Sequence, residues 1–159
     1  MLKPIRLDGV LLDHAWIATH IPHCGRMCLL SSVLAWDAQH IVCATSSHRD
    51  ATNPLRQFGR LGTGCGIEYA AQAMAVHSAL LMGETNDPVV RPGLLLSVRR
   101  TQLHVSRLDD IVSDLQVHAE RTSGNGELLL YEFSVCADGR TLLDGRASIL
   151  IDALTSGFS

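Results

Sequence analysis

The stretch GCGIEYAAQAMAVH, from Gly64 to His77, decides the fold of this chain. Two glycines open it, and a run rich in alanine, methionine and leucine continues as far as Met82. Apolar side chains fall on almost every side of a helix with this sequence, which is typical of a helix buried on most faces. We therefore predict a buried central helix from Gly66 to Met82.

Glu68 is an acidic residue in the otherwise apolar first turns of this helix. It lies one turn into the helix among apolar neighbours, including Ile67, Ala70 and Met74. Burying an unpaired carboxylate is costly or raises its pKa, so a chain seldom keeps one without a partner or a use. We predict that Glu68 is an active-site carboxylate. The alternative is a carboxylate that stabilises the helix dipole by roughly 0.3–1 kcal/mol.

The residues around Glu68 add to this hypothesis. Gly64 and Gly66 predict bare backbone N–H groups at the helix start, which can polarise a carbonyl oxygen, although a tight turn into the helix explains the same glycines. Gln72 lies one turn after Glu68 on the same face, so it can orient the carboxylate or make an interhelical contact. A carboxyl group beside free N–H donors suits proton transfer on a thioester-type substrate.

Length and composition limit the classes of protein. The chain has 159 residues, 47% hydrophobic and 18% charged, which predicts one domain with a real core. The net charge is −3, so nothing indicates nucleic-acid or membrane binding. No apolar run approaches the roughly 20 residues that span a bilayer. The basic N-terminus lacks the apolar region of a signal peptide, and we expect a cytoplasmic protein.

Cysteine spacing gives no sign of a disulfide framework or a metal site. Five cysteines make an odd count, and reduced thiols are the default in the cytosol. His23, Cys24 and Cys28 are close enough in sequence to suggest zinc. A zinc site usually shows a second ligand pair of similar spacing, and none is visible, so we predict no metal.

Hydrophobic patterns and turn residues predict the elements before the central helix. Leu11 to His20 is predicted to be a short helix. Met27 to Trp36 is predicted to be a buried strand, paired through the turn Asp37-Ala38-Gln39 with a second strand from His40 to Thr45. A long polar loop from Ser46 to Thr63 follows, and a loop of this length is usually functional.

After the helix, a second polar loop from Gly83 to Pro92 leads into a strand-rich half of the chain. Four strands are predicted there, over residues 93–105, 115–121, 128–137 and 141–151. The fold class predicted from this order is α+β, one long central helix wrapped by a six-stranded antiparallel sheet. Residues 1–159 form a single domain, with 1–20 as an N-terminal extension and 155–159 as a frayed tail.

Two histidines are candidate proton-transfer groups. His23 follows a proline in a non-helical segment, where rigid flanks can aim it at a pocket, and its ordinary pKa suits chemistry near neutrality. The alternative is a structural histidine bound to loop carbonyls. His48 begins the long loop and can fold back over the helix start, although a solvated loop histidine is the simpler interpretation. His77 is interpreted as a core or dimer contact.

Two sequence runs resemble a known family. IPHCGRMCLL, from Ile21 to Leu30, resembles the opening of hotdog-fold 3-hydroxyacyl-ACP dehydratases. GIEYAAQA, from Gly66 to Ala73, resembles their central-helix motif, and is most similar to the divergent dehydratases of aryl-polyene gene clusters, which carry Gly-Ile-Glu-Tyr-Met-Ala-Gln. The resemblance covers nearly the whole domain.

The resemblance implies a hotdog fold, a homodimer or higher oligomer, and dehydration of acyl chains carried on acyl carrier protein without a cofactor. It implies that a histidine removes a proton from the substrate, and we predict His23 as this base, with His48 as a possible alternative base. It also implies that Glu68, kept protonated or sharing a proton, helps the hydroxyl leave. An acidic carrier or its phosphate could be bound by arginines, and the candidates are Arg99, Arg100 and Arg107. The alternative is that these arginines form an ordinary charged strand edge.

The sequence departs from the family pattern in the loop before the helix. Pro54 stands fourteen residues before Glu68, where the family carries a catalytic histidine, and Ser32 stands where the opening motif has Asp. The histidine is therefore supplied from elsewhere or absent. A hotdog thioesterase, in which the carboxylate activates water, and a non-catalytic acyl-binding partner subunit are the alternatives. An imidazole beside Glu68 favours dehydration.

Overall fold

In the computed structural model, residues 3–23, 25–84, 93–125 and 127–151 are described, and they form two α-helices and eight strands. The predicted frayed tail, 155–159, and most of the second polar loop lie outside these residues. In chain order the elements are β1 (Arg6–Leu7), β2 (Val10–Leu11), α1 (His14–His20), β3 (Ser32–Trp36), β4 (His40–Thr45), α2 (Gly66–Glu84), β5 (Gly93–Leu103), β6 (Leu115–Asn125), β7 (Leu128–Ala137) and β8 (Arg140–Ile151).

Six of the strands form one antiparallel sheet in the order β3-β4-β6-β7-β8-β5, and α2 packs against it. Alternate residues of β7 turn inward against the helix side of the sheet: Leu129, Tyr131, Phe133 and Val135 are buried while their neighbours are more exposed. This arrangement confirms the predicted helix with a six-stranded antiparallel sheet.

The helix α2 is buried because small and apolar residues line most of its surface. Tyr69, Ala70, Ala73 and Met74 are all at most 1% exposed. Alanines let the helix lie close to the sheet, which brings large side chains from the strands against its backbone. In the described part of the chain, no helix has the length and apolar character needed to cross a membrane.

The first helix starts later than predicted. Asp13 accepts a hydrogen bond from the Trp16 backbone N–H at 3.0 Å and so caps α1 at its first turn. Residues 10–11 instead pair with residues 6–7 as a short antiparallel ribbon. The predicted start at Leu11 was therefore wrong, because the capping side chain, rather than the apolar pattern, sets the boundary.

The strand predicted from Met27 starts only at Ser32. A 3-10 turn covers Gly25–Met27, and residue Leu29 is bound by side chains instead of a strand partner. Its N–H donates to Gln72 Oε1 at 2.8 Å, and its carbonyl oxygen accepts from the Thr45 and Ser47 hydroxyls. These bonds hold the segment after His23 against the central helix.

The two edges of the sheet differ. The outer side of β3 is partly covered, since the Val33 N–H donates to the Leu12 carbonyl and the Ile5 N–H donates to the Val33 carbonyl. The strand β5 pairs only with β8 among the described residues. An unpaired edge of eleven residues is a surface that natural proteins usually cover or pair.

Candidate active site

The structure brings His23 and Glu68 together at the start of α2. His23 Nε2 lies 2.9 Å from Glu68 Oε1, within hydrogen-bond distance. The two side chains are 25% and 33% exposed, so the pair is shielded on one side and open to solvent on the other. An imidazole and a carboxylate in direct contact, partly removed from water, can pass a proton between them.

Gln72 fixes this pair from the buried side. Its side chain is fully buried, and its Nε2 donates to the Met27 carbonyl at 2.6 Å and to Glu68 Oε1 at 3.2 Å. Its Oε1 accepts the Leu29 N–H. One amide therefore holds both the carboxylate and the segment that follows His23. That Gln72 orients Glu68 for chemistry stays a prediction.

Hydrogen bonding, more than burial, sets the charge state of Glu68. The hydrogen bond from His23 lowers the pKa of Glu68, and the bond from Gln72 acts in the same direction. Burial opposes them by raising the pKa, but the net direction is downward. A carboxyl group kept protonated in the free protein does not fit this direction, and a proton shared with His23 stays a prediction.

The two glycines at the helix start differ in their surroundings. The Gly66 N–H donates to the Thr63 and Gly64 carbonyls, so it is used within the turn that enters α2. A Cβ on Gly66 would lie 2.5 Å from Leu143 Cδ2, which explains the glycine by packing. Gly64 is exposed, with no atom within 4 Å of such a Cβ. Binding of a carbonyl oxygen by Gly64 and Gly66 stays a prediction.

His48 is not a solvated loop residue. Its side chain is fully buried, and its Nε2 lies 3.0 Å from the Ile111 carbonyl oxygen. Burial lowers the pKa of His48, which keeps the ring neutral. In the described chain the imidazole in hydrogen-bond contact with Glu68 is that of His23, while His48 joins the long loop to the segment before β6.

His77 lies in the core. Its Nδ1 is 2.7 Å from the Tyr131 hydroxyl and its Nε2 is 2.8 Å from the Asp37 carbonyl oxygen. The carbonyl can only accept, so Nε2 carries the proton and Nδ1 accepts from the tyrosine. This confirms the interpretation of His77 as a core residue.

Sequence reasoning missed a buried hydroxyl network next to the site. The Tyr69 hydroxyl lies 2.8 Å from Ser47 Oγ and accepts from Asn53 Nδ2 at 3.0 Å. Ser47 Oγ in turn donates to the Leu29 carbonyl at 2.7 Å. The network ties the long loop to the helix residue that follows Glu68. A tyrosine in a largely apolar helix was the available signal, since its buried hydroxyl needs a partner.

No cluster of three or more histidine, cysteine or acidic side chains suited to a metal forms among the described residues. Cys24, one of the three residues that suggested zinc, lies outside them.

The long buried helix against a six-stranded antiparallel sheet, with a carboxylate near the helix start, defines a hotdog-fold protein. A chain of the dehydratase heterocomplex ApeI:P from Xenorhabdus doucetiae has a TM-score of 0.76 and 25% identity, with 85% of this chain and 90% of that chain covered. A thioesterase from Haemophilus influenzae has a TM-score of 0.63 at 9% identity, with 100% of both chains covered.

A mutant thioesterase from Pseudomonas aeruginosa has a TM-score of 0.56 at 13% identity, with 76% of this chain and 79% of that chain covered. At such low identity the two thioesterases show the fold alone. No curated protein matches the chain significantly in sequence.

The chain belongs to the ApeP-like family, described as ApeP dehydratase, whose sequence profile matches residues 15–155. It is therefore a hotdog-fold dehydratase of the aryl-polyene type, which confirms the resemblance of its two sequence motifs.

Proposed function

We propose that the protein removes water from 3-hydroxyacyl thioesters carried on acyl carrier protein and forms trans-2-enoyl thioesters. The observation that carries this proposal is the contact of 2.9 Å between His23 Nε2 and Glu68 Oε1. A thioesterase needs only a carboxylate that activates water. An imidazole held against that carboxylate suits a reaction that takes one proton and gives another.

The proposed reaction starts from one proton shared in the hydrogen bond between His23 and Glu68. When the proton resides on Glu68, Nε2 of His23 is unprotonated and can take the proton from substrate C2 as Glu68 turns its O–H toward the C3 hydroxyl. The electron pair of that C–H bond forms the C2–C3 double bond, and the C3–O bond breaks. Glu68 gives its proton to the leaving hydroxyl, which departs as water, and the pair again holds one proton.

The thioester carbonyl needs stabilisation while C2 loses its proton, because negative charge develops on its oxygen. Backbone N–H groups at the start of α2 are the proposed donors, with the exposed Gly64 as the accessible position. Gln72 keeps Glu68 in place through the reaction, because its amide is itself fixed to two backbone groups. The proposed chemistry requires no cofactor.

We also propose that a second subunit completes the site. The His23–Glu68 pair is partly open to solvent in the single chain, and the edge of β5 is unpaired within the described part of the sheet. The similar Xenorhabdus chain is part of a heterocomplex. Pairing of two sheets along β5 would bury this edge and cover the neighbouring helix start.

The acyl carrier protein is the proposed substrate-bearing partner, and the arginines identified in the sequence differ in their availability. Arg107 is bound to Asp109 through two hydrogen bonds, so it is already paired. Arg99 and Arg100 are exposed on β5 and are the better candidates for contact with an acidic carrier. A cytoplasmic location stays a prediction.

The test is mass spectrometry of a panel of 3-hydroxyacyl-ACPs incubated with the purified protein. Dehydration leaves the acyl group on the carrier and removes one water, whereas hydrolysis removes the whole acyl group. We expect loss of water from at least one member of the panel. Release of the acyl group without loss of water would support the thioesterase instead.

A further inference from the structure

Residues 61–63 and 105–109 form a clamp that holds the turn Thr63–Cys65 at the start of α2. The Thr63 hydroxyl donates to the Val105 carbonyl at 2.6 Å, and the Thr63 backbone N–H donates to the Ser106 carbonyl at 3.4 Å. Thr63 is 2% exposed, so its hydroxyl makes this bond away from water. Because a buried hydroxyl is seldom left without an acceptor, the bond fixes where Thr63 lies against the second segment.

Asp109 fixes the other end of the clamp. Its Oδ1 accepts the Leu61 N–H at 2.8 Å and Arg107 Nε at 3.0 Å, and its Oδ2 accepts from Arg107 Nη2. The hydrogen bonds from Arg107 lower the pKa of Asp109 and keep its carboxylate ionised. The Leu108 N–H donates to the Leu61 carbonyl at 2.8 Å. The chain just before α2 is therefore held at both ends of the clamp.

The clamp leaves the Gly64 N–H accessible. The N–H groups on either side of it are used within the protein, that of Thr63 in the clamp and that of Cys65 by the Gly62 carbonyl at 3.0 Å. Within the described residues the Gly64 N–H meets no such acceptor, and Gly64 is exposed. A donor stabilises an oxyanion only when it lies about 2.7–3.1 Å from the charged oxygen, so the position of this turn decides how well Gly64 can act.

We propose that Thr63 is a positioning residue for dehydration, and that its bond to the Val105 carbonyl holds the Gly64 N–H where the thioester oxygen gains negative charge. This inference rests on the proposed function. Thr63 acts through Gly64, because its own hydroxyl is buried and bound to Val105. The Arg107–Asp109 pair supports it by holding Leu61, two residues earlier. Without the clamp the donor can move, and a misplacement of about 1 Å can lower a rate by roughly a hundredfold.

Thr63→Val tests this role, because valine has the branched shape of threonine but no hydroxyl to donate. Thr63→Ser is the matched control, since serine keeps the donor. On one 3-hydroxyacyl-ACP, we expect Thr63→Val to lower kcat by about 10–100-fold while KM stays near the wild-type value. Thr63→Ser should work at close to the wild-type rate. This pattern is that of a contact made only in the transition state.

The stretching frequency of the thioester carbonyl provides a readout that a purely structural role would not move. The substrate, isotopically labelled at the carbonyl carbon, is bound to Glu68→Gln, in which turnover is expected to stop. Difference infrared spectra are then recorded for this variant with and without Thr63→Val. A well-placed N–H donor polarises the C=O bond and lowers its frequency. We expect the band to move to higher frequency when Thr63→Val is added.

Three results would each overturn the proposal: a wild-type kcat in Thr63→Val, an unchanged carbonyl frequency, or a Thr63→Ser variant as slow as Thr63→Val. If circular dichroism shows that Thr63→Val does not fold, Asp109→Asn takes its place. Its amide keeps an oxygen acceptor for the Leu61 N–H but loses the charge that binds Arg107. The same fall in kcat and the same rise in carbonyl frequency are expected, and the absence of both would overturn the proposal.

The two proposals fail in different ways. A wild type that dehydrates no acyl-ACP contradicts the proposed function, whatever the carbonyl frequency shows. A wild type that dehydrates its substrate no faster than folded Thr63→Val leaves the function standing and contradicts the positioning role of Thr63.

Discussion

At the level of single residues, Glu68 is bound by one side chain from a distant part of the chain and by one from its own helix. His23 approaches it from the segment after α1, and Gln72 approaches it from the next turn of the same helix. The sequence indicated all three residues: Glu68 and Gln72 are polar residues in an apolar helix, and His23 follows a proline in a recognisable motif. It could not place His23 against Glu68, since that contact depends on how the segment around Leu29 is tied to the helix.

Replacing His23 tests its proposed role as the base. His23→Ala should lower the rate by about 10²–10⁴-fold, because general-base catalysis typically contributes that much. His104→Ala is the matched control, since His104 is a partly exposed histidine bound to Asp144 on the sheet. Steady-state kinetics on one acyl-ACP compares the two. Wild-type activity in His23→Ala would contradict this role and would leave a water held by Glu68 as the base, because His48 is fully buried and bound to the Ile111 carbonyl.

The buried histidines predict how stability depends on pH. Burial lowers the pKa of His77 and of His48, so the unfolded chain binds a proton at higher pH than the folded chain does. The contribution of these two histidines to the free energy of unfolding should therefore be complete above about pH 6.5, the ordinary pKa of histidine. Stability should decrease as the pH falls below this value.

Urea denaturation at pH 7.5 and pH 5.5 measures this change. His77→Asn should reduce the difference between the two pH values, because it removes one buried group that gains a proton on unfolding. The same pH dependence in His77→Asn and wild type would show that His77 does not contribute to it.

At the level of elements, apolar pattern and turn chemistry predicted α2, β4 and β7 well. The predicted bounds of β4 and β7 agree with the structure, because tight turns with clear signals adjoin both strands. The starts of α1 and β3 were wrong, because individual side chains decide them: the Asp13 cap for α1, and the bonds to Leu29 for β3. Such bonds between distant residues leave no periodic signal in the sequence.

Glycine substitutions at the start of α2 test its packing. Gly66→Ala should destabilise the protein by about 1–3 kcal/mol, because the new Cβ would overlap the buried Leu143 side chain. Gly64→Ala is the matched control, since a Cβ there meets no atom within 4 Å. Urea unfolding of both variants gives the comparison. Equal stability of the two variants would show that the Leu143 side chain can move to make room for the new Cβ at little cost.

At the level of the whole molecule, the described chain has a long helix protected by its sheet and a site that remains partly open. The unpaired edge of β5 and the partly exposed His23–Glu68 pair are surfaces that the proposed second subunit would cover. The sequence predicted an oligomer from the open edge of a hotdog sheet. The orientation of Phe58, whose side chain is 103% exposed, could not be foreseen, because it depends on the turn from Gln57 to Arg60.

The central claim is that the His23–Glu68 pair dehydrates the substrate, and Glu68→Gln tests it most directly. The change removes the titrating group but preserves the shape of the side chain. The measurement is a time course by intact-mass spectrometry of one 3-hydroxyacyl-ACP, with wild type and variant at equal concentration. We predict that the wild type removes water and that Glu68→Gln, with an unchanged circular dichroism spectrum, does not. Dehydration at the wild-type rate by Glu68→Gln would contradict the proposed chemistry.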